Sequence, residues 1–166
     1  MILETQADFG GTWRTHQYPG IRSDSDLYTF GYRFKPWTGT PIATAEEILR
    51  YMGEVIDEND IGRHIGYQHS ISKATWSSED KLWNLTVMRT DTGEEVHFTG
   101  NFLWMCRGYY RHSEGYTPEW EGTERFHGEI VHSQTWPEDP GYSDKRVVVI
   151  GSGATAATLI RAMAAD

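Results

Sequence analysis

Two spacings of apolar residues divide the chain. Between Ile65 and Cys106 apolar and polar positions alternate in short runs, first Ile65, Tyr67, His69 and Ile71, then Trp83, Leu85 and Val87. A period of two is that of a strand with one face covered. Turn formers separate the runs, Ser77-Ser78-Glu79-Asp80 and Asp91-Thr92-Gly93, the second leading into residues 94–98, which predicts an antiparallel meander. Tyr28, Phe30, Tyr32 and Phe34 also alternate, predicting an extended segment with one buried face. Over residues 44–57 the spacing changes to that of a helix, with Ile48, Met52, Val55 and Ile56 on one side. Thr44 and Glu47 form its capping box, hydroxyl and carboxylate each satisfying an amide at the helix start.

Three stretches are continuously apolar and predict strands buried on both faces: residues 1–3, residues 102–106 and residues 147–150. The second runs into Arg107-Gly108-Tyr109-Tyr110. That is the C-terminal edge of a strand, where α/β sheets collect ligands, so a contact from the Gly108 backbone is expected there. Arg107 at this edge would pair with a phosphate or crowd a tight crossing, and crowding is the expectation. The third runs into Gly151-Ser152-Gly153-Ala154-Thr155-Ala156 and then a helix-forming stretch. Strand, glycine turn and helix start make a phosphate cradle, with the free amides of the helix facing the anion. Gly151 permits the turn, Gly153 lets a ligand approach the backbone, and small Ala156 allows close packing of helix and strand. A strand–turn–helix with no ligand is the competing reading.

Charge and chemistry narrow the picture. Acidic residues outnumber basic ones by 24 to 15, giving a net charge of −9, and no Lys/Arg block exists. A nucleic-acid surface and a polybasic membrane patch are therefore excluded, and nothing points to a membrane or protein partner. The single cysteine, Cys106, forms no intramolecular disulfide, suits a reducing cytoplasmic compartment, and sits among large apolar residues as a small buried hydrophobe. His64, His69, His97, His112, His127 and His132 form no metal-binding spacing, so no metal is expected. G-x-S-x-G is absent, which leaves a hydrolase without its nucleophile turn. Glu4 at a strand end is either an exposed carboxylate or an acceptor for a ribose diol. Arg22, Asp24 and Asp26 form either a solvated loop or the wall of a site. Trp13, beside Gly10-Gly11, lies over a flat cofactor or packs.

Taken together, E-T-Q-A-D-F-G-G-T-W (4–13), Y-P-G-I-R-S-D-S-D-L-Y (18–28) and F-H-G-E-I-V-H-S-Q-T-W-P (126–137) resemble the flavin-dependent class B monooxygenases, specifically the Baeyer–Villiger monooxygenases. The last segment matches the family fingerprint F-x-G-x-x-x-H-x-x-x-W through Phe126, Gly128, His132 and Trp136. Y-R-F-K-P-W-T-G (32–39), C-x-G-Y-Y (106–110) and W-P-E-D (136–139) look like the ethionamide-activating branch.

The resemblance implies an α/β flavoprotein with two dinucleotide-binding domains of the three-layer ββα, Rossmann-like kind, carrying an antiparallel β-meander and truncated at both ends. Residues 1–110 would be part of the FAD-binding domain, residues 111–145 the interdomain connection, and residues 146–166 the start of the NADP-binding domain. Glu4 would take the FAD ribose, and Gly11, Thr12 and Trp13 would line the flavin. Arg22, Ser23 and Asp24 would reach the cofactor site, with Asp24 the catalytic carboxylate positioning an arginine that lies further along in the family. Tyr28 and the backbone of Ile71 would add FAD contacts. Residues 151–156 would cradle the NADP pyrophosphate, while His132 and Trp136 would couple cofactor binding to domain movement. The implied reaction is NADPH- and FAD-dependent oxygenation by O₂, turning a ketone into an ester or lactone, or oxygenating sulfur in a thio-compound. The stretch by itself is expected to be inactive. The alternatives are a catalytically silent truncated gene product and a non-enzymatic binding module that uses its tryptophans and tyrosines.

Overall fold

A computed structural model of the chain describes residues 1–139 and 141–165. Pro140, inside the expected connection, and Asp166, the last residue of the expected NADP segment, lie outside the described residues. The chain divides into two compact bodies, residues 1–11 with 54–109, and residues 12–53 with 110–166.

In the first body, β1 (Ile2–Leu3) pairs in parallel with β2 (Ile65–Gly66). The Glu4 amide extends the ladder to the Gly66 carbonyl at 2.9 Å, and the His69 amide reaches the Glu4 carbonyl at 2.8 Å. β3 (His69–Ser77), β4 (Leu82–Arg89) and β5 (Glu95–Gly100) form the antiparallel meander that the alternation predicts. The single expected run from Ile65 to Ile71 is split, because Gln68 adopts φ 60° and turns the chain from one sheet to the other. β4 is central, and Val87 on it is fully buried. Opposite Val87 and Thr86 the β3 register slips between Ile71 and Lys73, a bulge at Ser72.

The second body is built on α3 (Ala45–Glu58) and α4 (Ala154–Met163) with two single-turn helices, α1 (Thr12–Thr15) and α2 (Leu27–Phe30). The boundary between the bodies falls inside α3, after Gly53. The capping box is formed: the Thr44 amide donates to the Glu47 carboxylate at 2.8 Å, and the Glu47 amide to the Thr44 hydroxyl at 3.3 Å. Leu27, Ala43 and Ile48 are buried together, with Trp13, Trp37 and Met52 packed around them.

Three predicted strands are not formed. The alternation at residues 28–34 does not give an extended segment, because Asp26 accepts from the Thr29 amide at 2.9 Å and caps α2, leaving Tyr28 and Phe30 exposed. Residues 102–106 form no strand, and Phe102, Trp104 and Met105 are exposed. Cys106 is accordingly exposed rather than buried. Residues 146–150 are likewise outside any sheet, with Val148 and Ile150 exposed. Apolar runs of aromatic or β-branched residues favour extension but do not make a ladder; a strand needs a hydrogen-bonding neighbour, and none among the described residues pairs with either run.

Candidate functional site

In the second body the glycine turn leads into α4 as predicted, although no strand precedes it. Gly153 is the N-cap, in extended geometry with no side-chain cap. The first backbone bond of the helix runs from the Ala157 amide to the Gly153 carbonyl at 3.3 Å. The amides of Ala154, Thr155 and Ala156 precede it and so have no partner within the helix. A Cβ on Gly153 would meet nothing within 4 Å, so the space before these amides is open. Gly151 has φ 150°, and a Cβ there would come to 3.9 Å from the Cβ of buried Ala156. The residues present thus suit a pyrophosphate: free donors, an open approach and a small residue under the turn. Ser152 is exposed beside them.

Residues 22–24 are anchored at the start of α3. Arg22 bridges Thr44, and the Ser23 amide donates to the Ala43 carbonyl at 2.8 Å. Ser23 is buried and its hydroxyl oxygen accepts from the Ala43 amide at 3.1 Å, so its side chain holds the loop. Asp24 is exposed, taking a 3.3 Å hydrogen bond from Ser25, while Arg22 Nε donates to the Gly20 carbonyl at 3.0 Å. Thr12 opens α1, and Trp13 packs against the Leu27, Ala43 and Ile48 cluster. The Tyr28 hydroxyl donates to the Gly39 carbonyl at 2.8 Å.

The fingerprint residues are spread along an irregular connection in this body. The Phe126 ring folds back over Gly128. His132 packs over Gly115 and its Nδ1 accepts from the Gln134 amide at 3.1 Å. Trp136 meets Tyr142 edge-on with centroids 6.4 Å apart. Sequence reasoning missed His16. It is buried beside Tyr110 and His112, with ring centroids at 5.3 Å and 6.0 Å. Burial holds its pKa below the ordinary value, the Thr12 carbonyl opposes this, and the charges of His112 and His132 lower it further. Tyr18 was also missed as a contact; its hydroxyl reaches Thr155 Oγ1 at 3.4 Å. The Pro19-Gly20 turn was the available signal.

In the first body Glu4, just past β1, is tied to the start of β3, its carbonyl accepting from the His69 amide two residues before Ile71. The Glu4 carboxylate accepts from the Gln6 amide at 2.8 Å. Gly11, at φ 49°, and Gly108, at φ 69°, each have open space where a Cβ would stand. Arg107 is exposed, without the crowding its position suggested. Among the described residues no group of three or more His, Cys, Asp or Glu side chains is placed to hold a metal ion, and no helix is long and apolar enough to cross a membrane.

Residues 41–165 match the family model described as flavin-binding monooxygenase-like. The chain is 49% identical over 161 residues to the FAD-containing monooxygenase EthA of Mycolicibacterium smegmatis, the match covering 96% of this chain and 32% of that relative. Among solved structures, an oxidized steroid monooxygenase bound to NADP matches with a TM-score of 0.76 and 33% identity, over 98% of this chain and 31% of that one. The OTEMO complex with FAD and NADP matches at a TM-score of 0.73 and 33% identity, over 98% and 32% of the two chains. The chain therefore shares part of their fold, and it spans about a third of the length of the curated relatives it matches.

Proposed function

The chain belongs to the flavin-binding monooxygenase-like family, and from that premise we propose that it carries parts of the FAD and NADP(H) sites of a Baeyer–Villiger type oxygenase. Residues 1–110 supply part of the FAD-binding domain, residues 111–145 the connection, and residues 146–166 the start of the NADP-binding domain. The substrates are O₂ and a small ketone, giving an ester or lactone, or a thio-compound oxygenated at sulfur. Its compartment is the cytoplasm.

The flavin, when bound, supplies the redox and oxygen chemistry. The chain's own residues bind and orient. Glu4 accepts hydrogen bonds from the FAD ribose, with Ile71 offering backbone groups on β3. Gly11, Thr12 and Trp13 line the flavin side, Gly11 contributing open backbone, and Gly108 does the same at its own bend. Arg22 and Ser23 hold the loop that presents exposed Asp24, whose carboxylate positions a cation near the reacting atoms. Tyr28 adds a contact on the FAD side. The amides of residues 154–156 take the NADP pyrophosphate, with Gly151, Ser152 and Gly153 forming the approach. His132 and Trp136 set the path of the connection that must move with cofactor binding.

The open space before Gly153 and the free amides behind it carry this reading. Titrating the ¹⁵N-labelled chain with NADP⁺ tests it. Saturable shifts of the amides of residues 151–156 are expected. Titration to millimolar NADP⁺ with no movement there would defeat the reading.

A further inference from the structure

Residues 18–21 form a tight turn, closed by the Ile21 amide on the Tyr18 carbonyl at 3.3 Å. Pro19 is its second residue and Gly20, at φ 76°, its third, as a type II turn requires. One side of this turn lies against α4. A Cβ on Gly20 would come within 2.8 Å of both the Thr158 carbonyl oxygen and the Ala162 Cβ, so helix backbone and turn backbone are in direct contact. Tyr18 is 7% exposed and reaches Thr155, the second residue of α4, through its hydroxyl. The other end of the turn is tied to the loop expected on the flavin side. Arg22 Nε holds the Gly20 carbonyl, the Ala45 amide donates to the Ile21 carbonyl at 3.2 Å, and the Ser23 amide is fixed on Ala43. Contacts without a gap thus run from the glycine turn to residues 22–24, all inside one compact body.

We infer that Tyr18-Pro19-Gly20 is a positioning element that couples dinucleotide binding at residues 151–156 to the placement of Arg22, Ser23 and Asp24. The inference rests on the reading of residues 151–156 as a pyrophosphate cradle. Close-packed elements transmit a displacement rather than absorb it. An anion that draws the start of α4 toward itself shifts the backbone that Gly20 touches, and the Gly20 carbonyl is the acceptor that orients Arg22. The coupling is reciprocal, so an altered loop changes dinucleotide affinity.

Amide spectra of the full chain provide the test, since contiguity alone does not establish coupling. In the wild type, NADP⁺ is expected to shift the amides of residues 151–156 and also those of residues 22–24. Tyr18→Phe is expected to weaken NADP⁺ binding by about 2- to 10-fold, the loss of one hydrogen bond, and to reduce the response at residues 22–24. Shifts at residues 151–156 with a silent loop would overturn the inference while leaving the cradle standing. A second measurement needs no nucleotide. Ala162→Val pushes on Gly20, and is expected to move the amides of residues 22–24, whereas Ala157→Ser on the exposed side of α4 leaves them in place. If Ala162→Val leaves them in place too, the coupling is absent even if NADP⁺ binds; if NADP⁺ fails to bind while Ala162→Val moves the loop, the cradle reading falls and takes the link to dinucleotide binding with it, and only the mechanical contact between α4 and residues 22–24 stands.

Discussion

Tyr32 and Tyr51 are joined twice, by a 2.7 Å hydrogen bond from the Tyr32 amide to the Tyr51 hydroxyl and by stacked rings with centroids 5.9 Å apart. The same hydroxyl donates to the Lys35 carbonyl at 2.5 Å, and Trp37 meets the Tyr51 ring edge-on at 5.4 Å. One buried phenol on α3 therefore sets the path of the loop over residues 31–37.

Tyr51→Phe keeps the ring contacts and removes only the hydroxyl that the amide and the carbonyl share. The loss of these two part-buried hydrogen bonds costs about 1–2 kcal/mol. Equilibrium urea unfolding should show that loss for Tyr51→Phe. Changing exposed Phe34 to Leu should alter stability by no more than about 0.5 kcal/mol, the range of ordinary surface substitutions.

The meander was legible in the sequence because its information is local. Alternation gives the strands, and Asp91-Thr92-Gly93 gives the turn, with Gly93 at φ 74° where a side chain is strained. The capping box was legible for the same reason: Thr44 and Glu47 are three residues apart. Residues 28–34 misled because alternation of aromatics competes with a cap, and Asp26 with its hydrogen bond to Thr29 decided the outcome. Residues 102–106 and 146–150 misled for another reason, since a strand is a property of two segments and apolar runs specify only one. The contact between Gly20 and α4 was out of reach altogether. Tyr18 and Thr155 are 137 positions apart, and no local pattern records such a pairing.

Val87 tests the first body by itself. It is fully buried on the central strand, paired with Ile71 on one side and Val96 on the other. Val87→Ala removes two methyl groups at about 0.8 kcal/mol each, plus a smaller cavity contribution. A loss of about 2 kcal/mol is expected. Hydrogen exchange should speed up across β3, β4 and β5, while amides of α4 in the second body keep their protection. Uniform loss of protection in both bodies would show instead that they unfold as one unit.

His16 makes stability depend on pH in a defined direction. Its folded pKa lies below the ordinary 6.5, chiefly because burial disfavours the charged imidazolium, with His112 and His132 adding to the effect. The unfolded chain then binds a proton more readily than the folded one. Stability from His16 is complete above pH 6.5 and declines as the pH falls from there through the folded pKa. Thermal unfolding followed from pH 7.5 downward should show this decline. In His16→Phe the part of the slope due to this residue disappears, and an unchanged slope would place the titration elsewhere.

Gly153→Ser separates the fold from the cradle. Gly153 caps α4 in extended geometry at φ −81°, which any residue adopts, and a Cβ there meets nothing within 4 Å. Serine is a better N-cap than glycine, because its oxygen accepts from amides of the first turn. The chain should therefore be as stable as the wild type or slightly more so. Those amides are the donors assigned to the NADP pyrophosphate, and the new hydroxyl both occupies them and fills the approach. NADP⁺ affinity should fall by about tenfold or more, the loss of one or two charge-assisted hydrogen bonds. Calorimetric titration beside a thermal melt reads both quantities on the same sample. A variant that is stabilised yet binds NADP⁺ like the wild type would remove the pyrophosphate from this turn, because the two ligands of the amides cannot be satisfied together.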